Sequence, residues 1–170
     1  MANYYSNLTV VAARDSLPSK LERFDDVTHL FDPLTSACLV CHSANWLAFS
    51  LGKVANAYEF PDLGYLSHIS GRLTVLDQSR IDAAIQAIEH LFDRIAANPV
   101  FFIDLTGGRC TEAEVADALR SAPQLPEPQH EPDNDFGTEE PLCTIGFLKS
   151  HLEVLRIAMR AGSHAIHAQS

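Results

Sequence analysis

Apolar residues recur along this chain with two different periods, and the switches between them divide it into elements. Over residues 36–58, Val40, Ala44, Leu47, Leu51, Val54 and Tyr58 return at spacings of four and three, with Ser36 placed to cap the start and Pro61 to stop the run. Leu39, Trp46 and Phe49 widen that stripe, which predicts a helix over 37–58 near the centre of the core. A second helix is predicted over 80–97, capped by Asp77 or Ser79, with Ile81, Ala84, Ile85, Ile88, Leu91, Phe92 and Ile95 on one side and Pro99 ending it. Thr111 and Glu114 form a capping box for a short helix containing Val115, Ala118 and Leu119. From about Thr144 to Arg160, Ile145, Leu148, Leu152, Leu155 and Met159 face inward, Lys149, Glu153, Arg156 and Arg160 face out, and Gly162 takes the C-cap position.

Three runs carry β character instead: 8–12 (Leu-Thr-Val-Val-Ala), 72–76 (Arg-Leu-Thr-Val-Leu) and 100–105 (Val-Phe-Phe-Ile-Asp-Leu), the last bounded by Pro99 and by Gly107-Gly108. Pro18 opens a short helical pattern through Lys20, Leu21 and Phe24. At 170 residues the chain has the length of one domain. The expectation is a single α+β domain over 1–170, helix-dominated, with a small three-stranded sheet; a helical bundle with the three runs as buried connectors is the alternative arrangement.

Residues 122–141 break every pattern. Pro123, Pro126, Pro128, Pro132 and Pro141 alternate with acids, and Leu125 and Phe136 are almost the only apolar residues, so a linker or recognition loop is expected. Charge gives this segment its interest. The net formal charge is −10, and residues 121–142 hold six acids (Glu127, Glu131, Asp133, Asp135, Glu139 and Glu140) with no Lys or Arg. Such a chain repels a phosphate backbone, which argues against direct nucleic-acid binding, and is steered toward a basic protein surface.

Met1 to Asn7 has neither the basic start nor the apolar stretch of a signal peptide, and no run reaches the roughly 18 apolar residues of a membrane span. The chain is therefore expected to be cytoplasmic, with Cys38, Cys41, Cys110 and Cys143 as thiols.

Several motifs bear on chemistry. Cys38-Leu39-Val40-Cys41-His42 has the spacing of covalent c-type haem attachment, of a dithiol redox pair and of half a zinc site. Within a helix the same residues read as small buried hydrophobes. His68-Ile69-Ser70 is half of the paired His-x-Ser/Thr arrangement of two-histidine phosphoesterases, but neither His29-Leu30-Phe31 nor His151-Leu152-Glu153 supplies the second half. Gly107-Gly108-Arg109, between a predicted strand and a capped helix, is placed where backbone amides receive an anion, with Asp104 beside it. It lacks the Lys-Ser/Thr of a phosphate-binding loop. His164 and His167, one helical turn apart near the terminus, have the spacing of a weak metal-binding pair and otherwise read as part of a frayed tail.

The reading that follows is a non-catalytic acidic protein-binding module, an inhibitor that masks a basic surface on a protein partner. Its expected contacts are Glu127, Glu131, Asp133, Asp135, Phe136, Glu139 and Glu140, and neighbouring acids such as Asp117 extend the surface; no cofactor and no metal are called for. The alternatives are a small phosphoester or nucleotide enzyme at the 104–111 turn and a metal or redox protein using Cys38, Cys41 and His42.

Overall fold

The computed structural model describes residues 6–12, 21–22, 38–45, 48–67, 73–123 and 140–169. In chain order these form β1 (Ser6–Ala12), β2 (Cys38–Asn45), α1 (Ala48–Ala57), a 3-10 helix (Pro61–Leu66), β3 (Leu73–Leu76), α2 (Gln78–Ala97), α3 (Pro99–Thr106), α4 (Glu112–Arg120), α5 (Glu140–Ala161) and β4 (His164–Gln169). The architecture is the expected helix-dominated α+β arrangement. Its antiparallel sheet has the order β2-β1-β4-β3, so the strands nearest the two ends of the chain lie side by side in the middle.

Where local signals agree with one another, the elements stand as predicted. Asp77 caps α2 by accepting from the Arg80 backbone N–H at 2.9 Å, and Ile81, Ala84, Ile88, Leu91 and Ile95 are buried along one side. The Thr111–Glu114 box opens α4. α5 starts four residues before the predicted Thr144, at Glu140, and ends at Gly162, whose φ of 62° is the left-handed conformation that glycine adopts without a Cβ penalty.

Four expectations are corrected. The predicted helix over 37–58 divides: residues 38–45 form β2, and helix begins only at Ala48. Val, Cys, Ser and Asn are weak helix formers, and pairing with β1 satisfies the backbone donors and acceptors of that strand's second side. The run at 100–105 is the helix α3. Pro99 and Asn98, read as a boundary before a strand, are instead helix-starting residues, since the Asn98 side chain accepts from Phe101 N–H at 3.2 Å and Pro99 stands in the first turn. Phe102 and Thr106, four apart, are buried, whereas Val100 and Phe101 are exposed. Residues 164–169, read as a frayed tail, are the interior strand β4, with Ala165, Ile166 and Ala168 fully buried. The sheet accordingly has four strands, two of them from runs predicted as strands.

The central helix is α5 rather than α1. Ile145, Phe147, Leu148, Ser150, His151, Val154, Leu155 and Ala158 are buried over more than half of its circumference. It packs against α2 and α4 on its helical side and against the sheet on the other. Ile88 and Leu152 are core residues as predicted, and Leu51, Val54 and Tyr58 keep the inward face of α1. Leu47 lies outside the described residues, as do Pro18, Lys20 and Phe24 of the short helical pattern, while Leu21 is half-buried and in no regular element. Among the described residues no helix is long and apolar enough to cross a membrane.

Candidate functional site

The sheet and α5 enclose a polar network that no sequence motif announced. Thr9 on β1 and His167 on β4 are cross-strand neighbours in the register, and α5 lowers His151 onto the same face. All three are buried, as is Tyr65 from the 3-10 helix. Thr9 Oγ1 stands 3.1 Å from His151 Nδ1 and 2.9 Å from His167 Nδ1, and Tyr65 Oη stands 2.5 Å from His151 Nε2. Burial holds the Tyr65 phenol far above its usual ionisation range, against a weaker opposing pull from Arg80, so Tyr65 keeps its proton.

One consistent proton order follows for neutral rings. Tyr65 donates to His151 Nε2, His151 donates from Nδ1 to Thr9, and Thr9 donates to His167 Nδ1. The Phe147 ring lies parallel to His151, with centroids 5.7 Å apart. With Thr9 and His151 fully buried, this network fixes the register of β1, β4 and α5, and of its members only Tyr65 lines a surface cleft.

Surface clefts flank the 3-10 helix, one of them at the corner where α1 runs into it. A cleft of about 480 Å³ opens there, its lining including Gly52, Ala55, Asn56, Glu59, Phe60 and Gly64. Phe60 N–H closes the end of α1 by donating to Ala55 O at 2.9 Å, and Glu59 sits in the link with a φ of 60°. Glu59 is the sole non-glycine residue with positive φ among the described residues. Beside it, Arg94 donates to Tyr58 O at 2.6 Å and lies 4.9 Å from the Tyr58 ring centre and 5.7 Å from that of Phe60. A second cleft, of about 230 Å³, lies on the far side of Pro61 and is lined by Asp62, Tyr65, Ser79 and Arg80.

Comparison of the chain with protein-family models, with curated proteins and with solved structures finds no match.

The described charges are disposed unequally. Arg80 donates to Val75 O, Arg94 to Tyr58 O, and Lys149 to Ala118 O and Ser121 Oγ. Arg120 pairs with Asp117, and Arg156 with Glu89 and Glu153. Among the described residues Glu59, Asp62, Asp93, Asp104 and Glu112 are exposed acids with no ion pair. These five cations are held by carbonyls and local pairs, whereas Lys53 and Arg160 are exposed with no ion pair among the described residues.

Of the residues singled out in the sequence, Glu127, Glu131, Asp133, Asp135, Phe136 and Glu139 lie outside the described residues, as do His68, Ile69 and Ser70. Glu140 is the first residue of α5. Gly107-Gly108-Arg109 joins two helices, not a strand and a helix, which removes the setting of the expected anion site. Gly107 ends α3 with a φ of 69°, and Gly108 lies against Pro141, whose ring a Cβ would overlap. The two glycines thereby seat the α3–α4 turn on the start of α5. Cys38 and Cys41 lie on a strand instead of a helix, and by register they stand opposite Ala12 and Val10, while His42 stands opposite Thr9. Residues 10–12 of β1 span 38–41 of β2 there, three against four, which is a bulge. Cys110 and Cys143 are half-buried thiols.

Proposed function

We propose that this chain is a non-catalytic protein-binding module that occupies a basic surface on a protein partner and masks it, as an inhibitor does. The observation that carries the reading is the excess of acidic charge and its concentration in one stretch of the sequence. Residues 121–142 contribute −6 of the net −10 from sequence alone. Among the described residues the cations Arg80, Arg94, Arg120, Lys149 and Arg156 are committed within the molecule while Lys53 and Arg160 face solvent, and exposed acids outnumber exposed cations. Such a surface accelerates encounter with a cationic partner and rejects anionic ones, nucleic acid included. The proline content of 122–141 limits the freedom an extended segment loses on docking, and Leu125 and Phe136 supply apolar anchors.

The test is affinity capture from the native source at low and moderate salt, with the natural chain and with E127Q, E131Q, D133N, D135N, E139Q and E140Q combined. A specific partner captured by the natural chain, weakened by salt and lost from the neutralised variant, is the expected outcome. A specific partner held equally by both would overturn the role of the loop.

A further inference from the structure

We infer that the α1 corner is a receptor for one arginine side chain of that partner, an inference that rests on the basic-partner reading above. Two features of the corner favour a second cation beside Arg94, which already meets the negative end of α1 at the Tyr58 carbonyl. Glu59 places a carboxylate at the rim with no ion pair among the described residues. Phe60 adds an aromatic ring to the lining.

Glu59 also occupies a position where glycine would be favoured. Its φ of 60° brings the Cβ penalty of the left-handed region, and the Phe60-to-Ala55 hydrogen bond that closes the helix is a backbone bond which glycine would allow equally well. A carboxylate retained at a strained position beside a cleft is the pattern of a functional constraint.

The shape of the cleft suits a side chain rather than a bare ion. Its volume of about 480 Å³ exceeds what a hydrated monovalent ion needs, and the buried Ala55 gives the lining an apolar surface for an aliphatic stem. Gly64 leaves the space open: a Cβ built there meets nothing within 4 Å. Arginine is favoured over lysine because a planar guanidinium stacks on a ring while binding a carboxylate with two hydrogen bonds. The molecule already uses this chemistry next door, where Arg94 is held by Tyr58 O and lies near the Tyr58 and Phe60 rings. Because Arg94 is committed to that carbonyl from the α2 side, Glu59 and the Asn56 amide remain for a ligand entering from solvent.

The experiment is an NMR titration of isotope-labelled protein at low salt with N-acetyl-arginine methylamide, and in parallel with the lysine analogue. Saturable shifts of the Gly52, Glu59, Phe60 and Gly64 amides by the arginine probe are expected. The E59Q variant should bind about tenfold more weakly, as loss of a charge-assisted bidentate contact implies. G64L, which fills the cleft, should abolish the shifts while retaining a native spectrum. E59G should lose affinity like E59Q yet melt at a higher temperature, because it relieves the backbone. Absence of saturable shifts in the natural chain, equal affinity in E59Q, or equal binding of the lysine analogue would overturn the inference. The loop-neutralised variant separates the two readings. If it loses the partner while the arginine probe fails to bind the natural chain, the corner assignment alone falls; if it keeps the partner while the probe binds normally, the loop assignment alone falls.

Discussion

Tyr58 and Tyr65 are both buried, yet their hydroxyls have opposite fates. Tyr65 donates to His151 Nε2, whereas Tyr58 Oη meets no hydrogen-bond partner among the described residues. Burial raises the pKa of both, against an opposing pull from Arg94 at Tyr58 and from Arg80 at Tyr65, so both donors stay protonated. Tyr65→Phe should therefore strand a buried imidazole nitrogen and cost about 1–3 kcal/mol. Tyr58→Phe removes an unsatisfied hydroxyl while keeping the ring that meets Phe101 edge-on at 5.5 Å, and should range from neutral to about 1 kcal/mol stabilising. Urea denaturation of the two variants checks the order, and a Tyr58→Phe loss as large as that of Tyr65→Phe would contradict it. Neither role could be read from sequence. The network joins residues 142, 158 and 86 positions apart, and no local pattern places a histidine against a threonine at that distance.

Among the elements, α4 was legible because its signals are local. Thr111 Oγ1 accepts from Glu114 N–H at 3.2 Å, and the Glu114 carboxylate accepts from Thr111 N–H at 2.7 Å, which holds the Glu114 carboxyl below its usual value. A carboxyl lowered in the folded state contributes stability above its unfolded pKa, near 4.5, and loses that contribution as pH falls through the lowered folded value. E114Q should accordingly be less stable than the natural chain at pH 7, with the gap narrowing as pH drops below 4.5. Thermal melts of both chains across that window check this, and a gap that widens on acidification would contradict it. α3 and β2 were misassigned for the opposite reason. The short apolar runs at 100–105 and 38–45 satisfy either period, and what decides between them is a side-chain cap at Asn98 in one case and a partner strand far along the chain in the other.

For the whole molecule, β4 is the element on which closure depends. It lies between β1 and β3, carries His167 of the polar network, and buries Ala165, Ile166 and Ala168 completely. Gly162 turns the chain at the end of α5 so that β4 returns beside the helix. A chain ended at Gly162 should lose its cooperative urea transition and its near-ultraviolet circular dichroism, because β1 and β3 would each lose a partner strand. Removal of Ser170 alone should change neither. Retention of the full-length midpoint by the shorter chain would show that residues 163–169 are as dispensable as their tail-like sequence suggests.

The sequence by itself determined α2, α4 and α5, the helix-dominated α+β class and the acidic character. Helical periodicity, N-caps and a C-terminal glycine act over four residues or fewer, and net charge is a sum that folding does not alter. Only the tertiary structure decided that β2 is a strand, that β1 and β4 lie side by side, that Thr9, Tyr65, His151 and His167 meet, and that Glu59 stands at the rim of a cleft. Strand pairing and buried polar contacts take their free energy from partners distant in sequence, so the residues involved carry no local mark of their roles.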